Sequence, residues 1–166
     1  KPSLILVLLQ SFTNASDALK RVYHSKIKGL VESVLKVGKE EKKAGRKRKE
    51  LLGPGALVSL LPRCPAGAKD LVWLMVYELR SRLVPPYLHR LVQTVLALAS
   101  KTNDARLLVP VAELLPPRAI LAHLAGIAAL PSRMSQLAIS SILKAKPPPV
   151  SPVKLLVALH DLSAAR

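Results

Sequence analysis

An all-α fold built from HEAT-like helical repeats, a segment of an α-solenoid, is what the sequence predicts, on three observations. Apolar residues recur at three- and four-residue spacings along most of the 166 residues. Prolines and glycines stand where such runs begin and end. Asn-Gly hairpin turns and useful lengths of period-2 alternation are both missing from the sequence. Helix pairs of about 40 residues with proline-marked turns fit a solenoid, in which middle helices are buried on two sides and need wide apolar faces. A compact helical bundle is the alternative packing of the same helices.

Element by element, Ser3 is placed to cap a first helix reaching about Phe12. Asn14 and Ser16 supply a turn and a second cap, and Asp17 complements the helix dipole in the first turn. The second helix presents Leu19, Val22, Tyr23, Ile27, Leu30, Val31, Val34 and Leu35 on one broad face and ends near Gly38. Lys36 to Glu50 then holds eight Lys or Arg, three Glu and two Gly with almost nothing apolar. It reads as a mobile loop, because it cannot bury enough surface to offset the entropy of ordering. After the Gly53-Pro54-Gly55 turn, Ala56 to Leu61 is a short helix stopped by Pro62. Pro65, Gly67 and Asp70 lead into Leu71 to Leu79, closed by Arg80 and Arg82. Pro85-Pro86 opens a helix carrying Leu88, Leu91, Val92, Val95, Leu96 and Leu98.

Thr102-Asn103-Asp104 caps the next helix, Arg106 to Leu115, which Pro110 should kink by removing one donor and crowding the carbonyl of Arg106. Pro117 starts a helix through Ile120, Leu121, Leu124, Ile127 and Leu130. Pro131-Ser132 opens another with Met134, Leu137, Ala138, Ile142 and Leu143. Pro147-Pro148-Pro149 is a stiff linker. Ser151-Pro152 pairs an N-cap with a proline at the first helical position, and Leu155, Leu156, Leu159 and Leu162 are expected to face inward. The resulting organisation is N-terminal helices over 1–38, a basic loop or insertion over 39–55, central repeats over 56–146, a proline-rich linker over 147–152, and the start of a further helix over 153–166.

Composition excludes several classes of function. Leucine alone contributes 33 residues, which is incompatible with a disordered chain. Five aromatic residues are too few for a base-stacking platform. A single cysteine, Cys64, forbids a disulfide framework. His24, His89, His123 and His160 share no ligand-like spacing with it, so neither a metal nor a cofactor is expected. The longest aliphatic run, Leu4 to Leu9, is far below the ~18 residues of a spanning helix, so no membrane segment is expected. A secretory signal at Lys1 to Leu9 is a weak reading, and the absence of an initiator Met suggests a fragment. The sequon Asn14-Ala15-Ser16 gains no meaning from this context.

Catalysis finds little footing in the sequence. No Gly-x-Ser-x-Gly elbow and no phosphate-cradling glycine loop is present. Glu40-Glu41 stand among lysines and serve to neutralise them, and adjacent His160 and Asp161 diverge by about 100° on a helix. The chain is therefore expected not to be an enzyme. Cys64 lies near a helix start, where a lowered thiol pKa is conceivable, but a plain structural cysteine is the favoured reading. Trp73 and Tyr77, spaced i, i+4, read as a core pair.

The sharpest local feature is the tract Lys42, Lys43, Arg46, Lys47, Arg48 and Lys49. It fits a nuclear-import signal, a nucleic-acid contact, an acidic partner, or simply a solvated loop that keeps an apolar chain soluble. Of the net charge of +16, the segment from Lys36 to Glu50 carries +5 and the helices carry the remaining +11. Charge spread in this way fits phosphate contacts without base readout, and equally acidic protein partners.

Two blocks carry a family resemblance. Asp104-Ala-Arg-Leu-Leu-Val-Pro-Val-Ala-Glu-Leu-Leu115, with Arg118 to Leu124 and Ile127 to Pro131, resembles a D-x-R-F-L-I-P-V-L-x-x-L segment and the helix after it in the C-terminal region of symplekin. Symplekin is the scaffold of the pre-mRNA 3′-end cleavage and polyadenylation machinery. Val150-Ser-Pro-Val-Lys-Leu-Leu-Val-Ala-Leu-His-Asp-Leu162 is similar to that family's L-S-P-x-E-L-L-x-A-L-H-x-I-D. Weaker similarity covers Lys1 to Ile5, Ala18 to Val22, Ile27 to Leu30 and Arg63 to Val72, in the family's order along the chain. Departures are Lys154 where the family often has Glu, Leu107 in place of an aromatic, and the Lys36 to Glu50 tract, which looks like an insertion. The resemblance implies a non-catalytic nuclear scaffold that docks the C-terminal domains of the 3′-end endonuclease and of its inactive paralogue, beside other cleavage and polyadenylation subunits, in polyadenylation and in histone mRNA processing. It also implies a region that continues past Arg166. Direct RNA binding by a basic HEAT-like module, and another nuclear HEAT adaptor, are the rival readings.

Overall fold

The computed structural model describes residues 4–43 and 54–164. All regular structure among them is helical. The α-helices are α1 (Leu4–Thr13), α2 (Asp17–Lys43), α3 (Pro54–Leu60), α4 (Lys69–Arg80), α5 (Pro85–Thr102), α6 (Pro117–Ala128), α7 (Ser132–Lys144) and α8 (Pro152–Ala164). Short 3-10 helices cover Leu61–Arg63 and Ala66–Ala68, and a long one covers Ala105–Leu114. The chain divides within α5 into two compact units, Lys1–Thr94 and Val95–Arg166. This boundary falls inside what the sequence organisation treats as one central stretch of repeats.

In the first unit, the turn between α1 and α2 closes with a bond from Ala15 N–H to the Phe12 carbonyl at 3.2 Å, and Ser16 Oγ caps α2 by accepting from Leu19 N–H at 3.4 Å. Phe12 is buried, edge-on to Tyr23 and stacked on His24. The inward stripe of α2 is narrower than its sequence suggests. Ile27, Val31 and Leu35, four residues apart, are buried, while Leu19 and Val22 are exposed.

That stripe packs on α4, which buries Leu71, Val72, Met75, Val76 and Leu79. Each such aliphatic side chain contributes about 1.5–3 kcal/mol on leaving water. The Ala66–Ala68 turn seats against α1 so closely that a Cβ built on Gly67 would stand 2.5 Å from Thr13 Cγ2, so any larger residue there must displace the Thr13 side chain. Arg82 fastens the end of α4. It donates to the Glu78 carbonyl at 2.7 Å, pairs with the Glu78 carboxylate and reaches Glu32 of α2 at 3.0 Å.

α2 also corrects a boundary. It continues through Lys43, past Gly38, so residues 36–43 are helical where a loop was expected. Lys and Glu are strong helix formers, and a helix end needs no apolar face to persist. The remainder of that expected loop, residues 44–50, lies outside the described residues, as does Ser3.

In the second unit, Ala105–Leu114 is a 3-10 helix rather than the kinked α-helix expected. Pro110 cannot donate, and its ring excludes the α-type carbonyl four residues back. The tighter winding turns Leu107 through Ala112 into six consecutive buried residues. A 3-10 run of ten residues is long for a geometry that usually lasts three or four. Here it is held by tertiary burial, with α6 and α7 both packed against it. Asp104 caps it as predicted, its Oδ1 accepting from Arg106 N–H at 3.1 Å.

Pro117 opens α6, which buries Ile120, Leu124 and Ile127. α7 buries Ser135, Ala138 and Ile142 and leaves Leu137 and Leu143 exposed. Ser151 Oγ caps α8 by accepting from Lys154 N–H at 3.3 Å. Leu155 anchors α8 on α6.

Candidate functional site

α8 is an apolar helix with one fully buried side chain. Leu155 is 1% exposed, whereas Val153, Leu156 and Val157 are 73%, 68% and 55% exposed. At i, i+3 and i+4 they form one ridge, continued by exposed His160 and Ala164. Leu156 was expected to face inward with Leu155. Neighbouring residues on a helix point about 100° apart, so the two cannot share a face, and Leu155 holds the inward one. Leu159 and Leu162 are half-buried along its side. The ridge is the best-defined apolar surface of the second unit, and sequence reasoning missed it. The signal was the Val153–Leu156–Val157 spacing, which competes with an equally good inward pattern.

The second unit also holds an open cleft of about 420 Å³. Its lining is rich in small residues, Ala99, Ala105, Ala122, Gly126 and Ala129, and includes Arg106 and His123. A Cβ on Gly126 would approach Ala105 Cβ to 3.1 Å, so the small residues reflect close packing of α6 on the 3-10 helix. The spacing Ala122, Gly126, Ala129 was readable in the sequence and was not used. The chemistry of the cleft is already committed. Arg106 Nε and Nη2 donate to the two Asp104 oxygens at 3.0 and 2.8 Å, and Asp104 is buried and serves as the cap. A carboxylate held this way by three donors is a structural acceptor rather than a free base.

The basic tract is only partly on view. Lys42 and Lys43 belong to the end of α2, while Arg46, Lys47, Arg48 and Lys49 lie outside the described residues. Cys64 donates to the Leu60 carbonyl at 3.5 Å, and burial pushes its thiol up to about 12. That is the opposite of an activated thiolate and agrees with a structural cysteine. Trp73 and Tyr77 stack at 5.7 Å, but Tyr77 is exposed with Arg80 lying over its ring, so the pair edges the core rather than filling it.

The histidines are dispersed. His24 stacks on Phe12, His89 pairs with Gln93 at 2.9 Å, His123 lines the cleft and His160 is on the α8 ridge. Among the described residues no group of three His, Cys, Asp or Glu could hold a metal ion, and no helix is long and apolar enough to cross a membrane. Compared with protein-family models, with curated proteins and with solved structures, the chain gives no match.

Proposed function

We propose that this chain is a non-catalytic, HEAT-like scaffold segment of the nuclear machinery that cleaves and polyadenylates pre-mRNA and processes histone mRNA 3′ ends. It docks the C-terminal domains of the endonuclease and of its inactive paralogue. The observation that carries a binding role is the α8 ridge, Val153, Leu156 and Val157, an apolar surface built on a helix anchored from behind by Leu155. Exposed apolar patches of this kind mark protein interaction sites. The two sequence blocks that resemble symplekin support the choice of partner. One is the buried 3-10 helix with α6; the other is the capped α8 that displays the ridge. Short helices with prolines at their first positions support the repeat architecture. The basic surface contributes on-rate and orientation toward acidic partners.

The test is co-expression of the chain with the C-terminal domains of the nuclease and its paralogue, followed by purification. Capture of both by the wild-type chain, with loss of capture in a folded Leu156→Asp, Val157→Asp double variant, is the expected result. A wild-type chain that retains neither, or any turnover by the isolated chain, would overturn this reading.

A further inference from the structure

α2 carries a face that neither the core nor the α8 ridge uses. Over residues 17–36 the helix holds Lys20, Arg21, Lys26, Lys28 and Lys36 against two acids, Asp17 and Glu32. Both acids have partners: Asp17 lies 3.7 Å from Lys20, and Glu32 lies 3.0 Å from Arg82. Arg21, Lys26, Lys28 and Lys36 are exposed. On a helical wheel Ser25, Gly29 and Ser33 form a line facing away from buried Ile27, Val31 and Leu35; Arg21 and Lys28 edge it on one side, Lys26 on the other, and Lys36 stands on the line itself toward its C-terminal end.

The lane between these cations is low. Ser25 and Ser33 fold their hydroxyls back on the carbonyls of Val22 and Gly29, each at 2.8 Å, and a Cβ on Gly29 would meet nothing within 4 Å. Val22 stands at its N-terminal end, and Tyr23 is turned away toward Phe12 and Ser11. At 1.5 Å rise per residue, Arg21, Lys28 and Lys36 are spread over about 22 Å. An extended polymer with a regularly repeated negative charge can lie in this lane and meet several cations at once. A folded acidic protein needs a central cluster of apolar anchors as well, and here the exposed apolar residues are Leu19 and Val22, both toward the N-terminal end of the helix. With no aromatic ring in the lane, base stacking has no platform.

We propose that the outward face of α2 is a track for the phosphodiester backbone of a nucleic acid, gripping phosphates through Arg21, Lys26, Lys28 and Lys36 without reading bases. Binding is then indifferent to sequence and steep in salt, each lost phosphate contact flattening the log–log salt slope of a single strand by about 0.7.

The experiment is fluorescence anisotropy of the purified chain with labelled oligouridylate and oligothymidylate, titrated at several salt concentrations. The wild type should bind both, with comparable salt slopes. Charge reversal of Arg21, Lys28 and Lys36 together should lower affinity by about tenfold or more and reduce the slope by about 2. Reversal of exposed Arg118, Arg133 and Lys144 should cost far less. Gly29→Trp fills the lane from a position where a Cβ has open space, and should weaken binding while circular dichroism stays unchanged. No binding by the wild type at low salt overturns the proposal. So does equal damage from the two triple variants, equal competition by polyglutamate of matched charge, or full affinity in a folded Gly29→Trp chain. Retention of RNA with loss of DNA would reject backbone contacts as sufficient.

Discussion

The helix α2 and the 3-10 helix Ala105–Leu114 represent two ways of being ordered. α2 is 27 residues long and, from Asp17 to Lys36, fixes only Ile27, Val31 and Leu35 fully in the core. Its persistence rests on helix formers such as Lys, Leu and Glu, on the Ser16 cap and on one stripe against α4. The 3-10 helix has ten residues, an interior proline and poor hydrogen-bond geometry, yet six residues in a row are buried. Local propensity orders the first, and surroundings order the second. The first can therefore spend its outward face on charge, whereas the second has no outward face over Leu107 to Ala112.

The largest expected effect is Leu124→Asp on α6, which packs against the 3-10 helix. It leaves a carboxylate without a partner in a fully buried position and should cost at least about 3–5 kcal/mol in urea denaturation. Retained wild-type stability would mean that α6 does not face the core. Leu108→Ala, inside the 3-10 helix, should lose about 2–5 kcal/mol, and a loss below that range would show that the site collapses around the cavity. Asp104→Ala removes the cap and the acceptor of Arg106 and should cost about 1–2 kcal/mol, read as a lower thermal midpoint.

The α2 side of the comparison predicts a gain. Gly29→Ala meets no neighbour and should stabilise the chain by about 0.5–1 kcal/mol, whereas a loss would place something against that face.

The smallest effect concerns Cys64 at neutral pH. Its folded thiol, raised from the ordinary 9.0 to about 12, stays protonated where an unfolded thiol ionises. It should thus resist iodoacetamide at pH 8. Its contribution to stability is complete below about pH 9 and declines as pH rises toward 12, because the unfolded state alone has released the proton. Rapid labelling of folded protein at pH 8 would contradict its burial.

What was legible in the sequence was whatever is decided locally. Ser16, Asp104 and Ser151 act as caps because a side-chain oxygen needs only the next two or three amides. Pro117 and Pro152 start helices because their missing donor costs nothing there. The extension of α2 to Lys43 was hidden by weighing apolar burial alone and overlooking the helix propensity of Lys and Glu. The 3-10 winding around Pro110 was not legible, since the packing that selects it comes from α6 and α7. The turn of α8 was ambiguous for a different reason. Leu155 and Leu156 are chemically identical, and only the neighbouring α6 decides which of them is buried. The small-residue lining of the cleft was written in Ala122, Gly126 and Ala129, but its meaning depends on Ala105 arriving opposite.

Arg82 has a consequence for how this chain can vary. One planar guanidinium serves the Glu78 carbonyl, the Glu78 carboxylate and Glu32 across the helix pair. A lysine has a compact ammonium at the end of a flexible stem and cannot span the three acceptors in one geometry. Drift at position 82 is therefore linked to drift at positions 32 and 78. Among related sequences these three sites should change together or not at all, a correlated signature that would reveal the α2–α4 pairing without any coordinates.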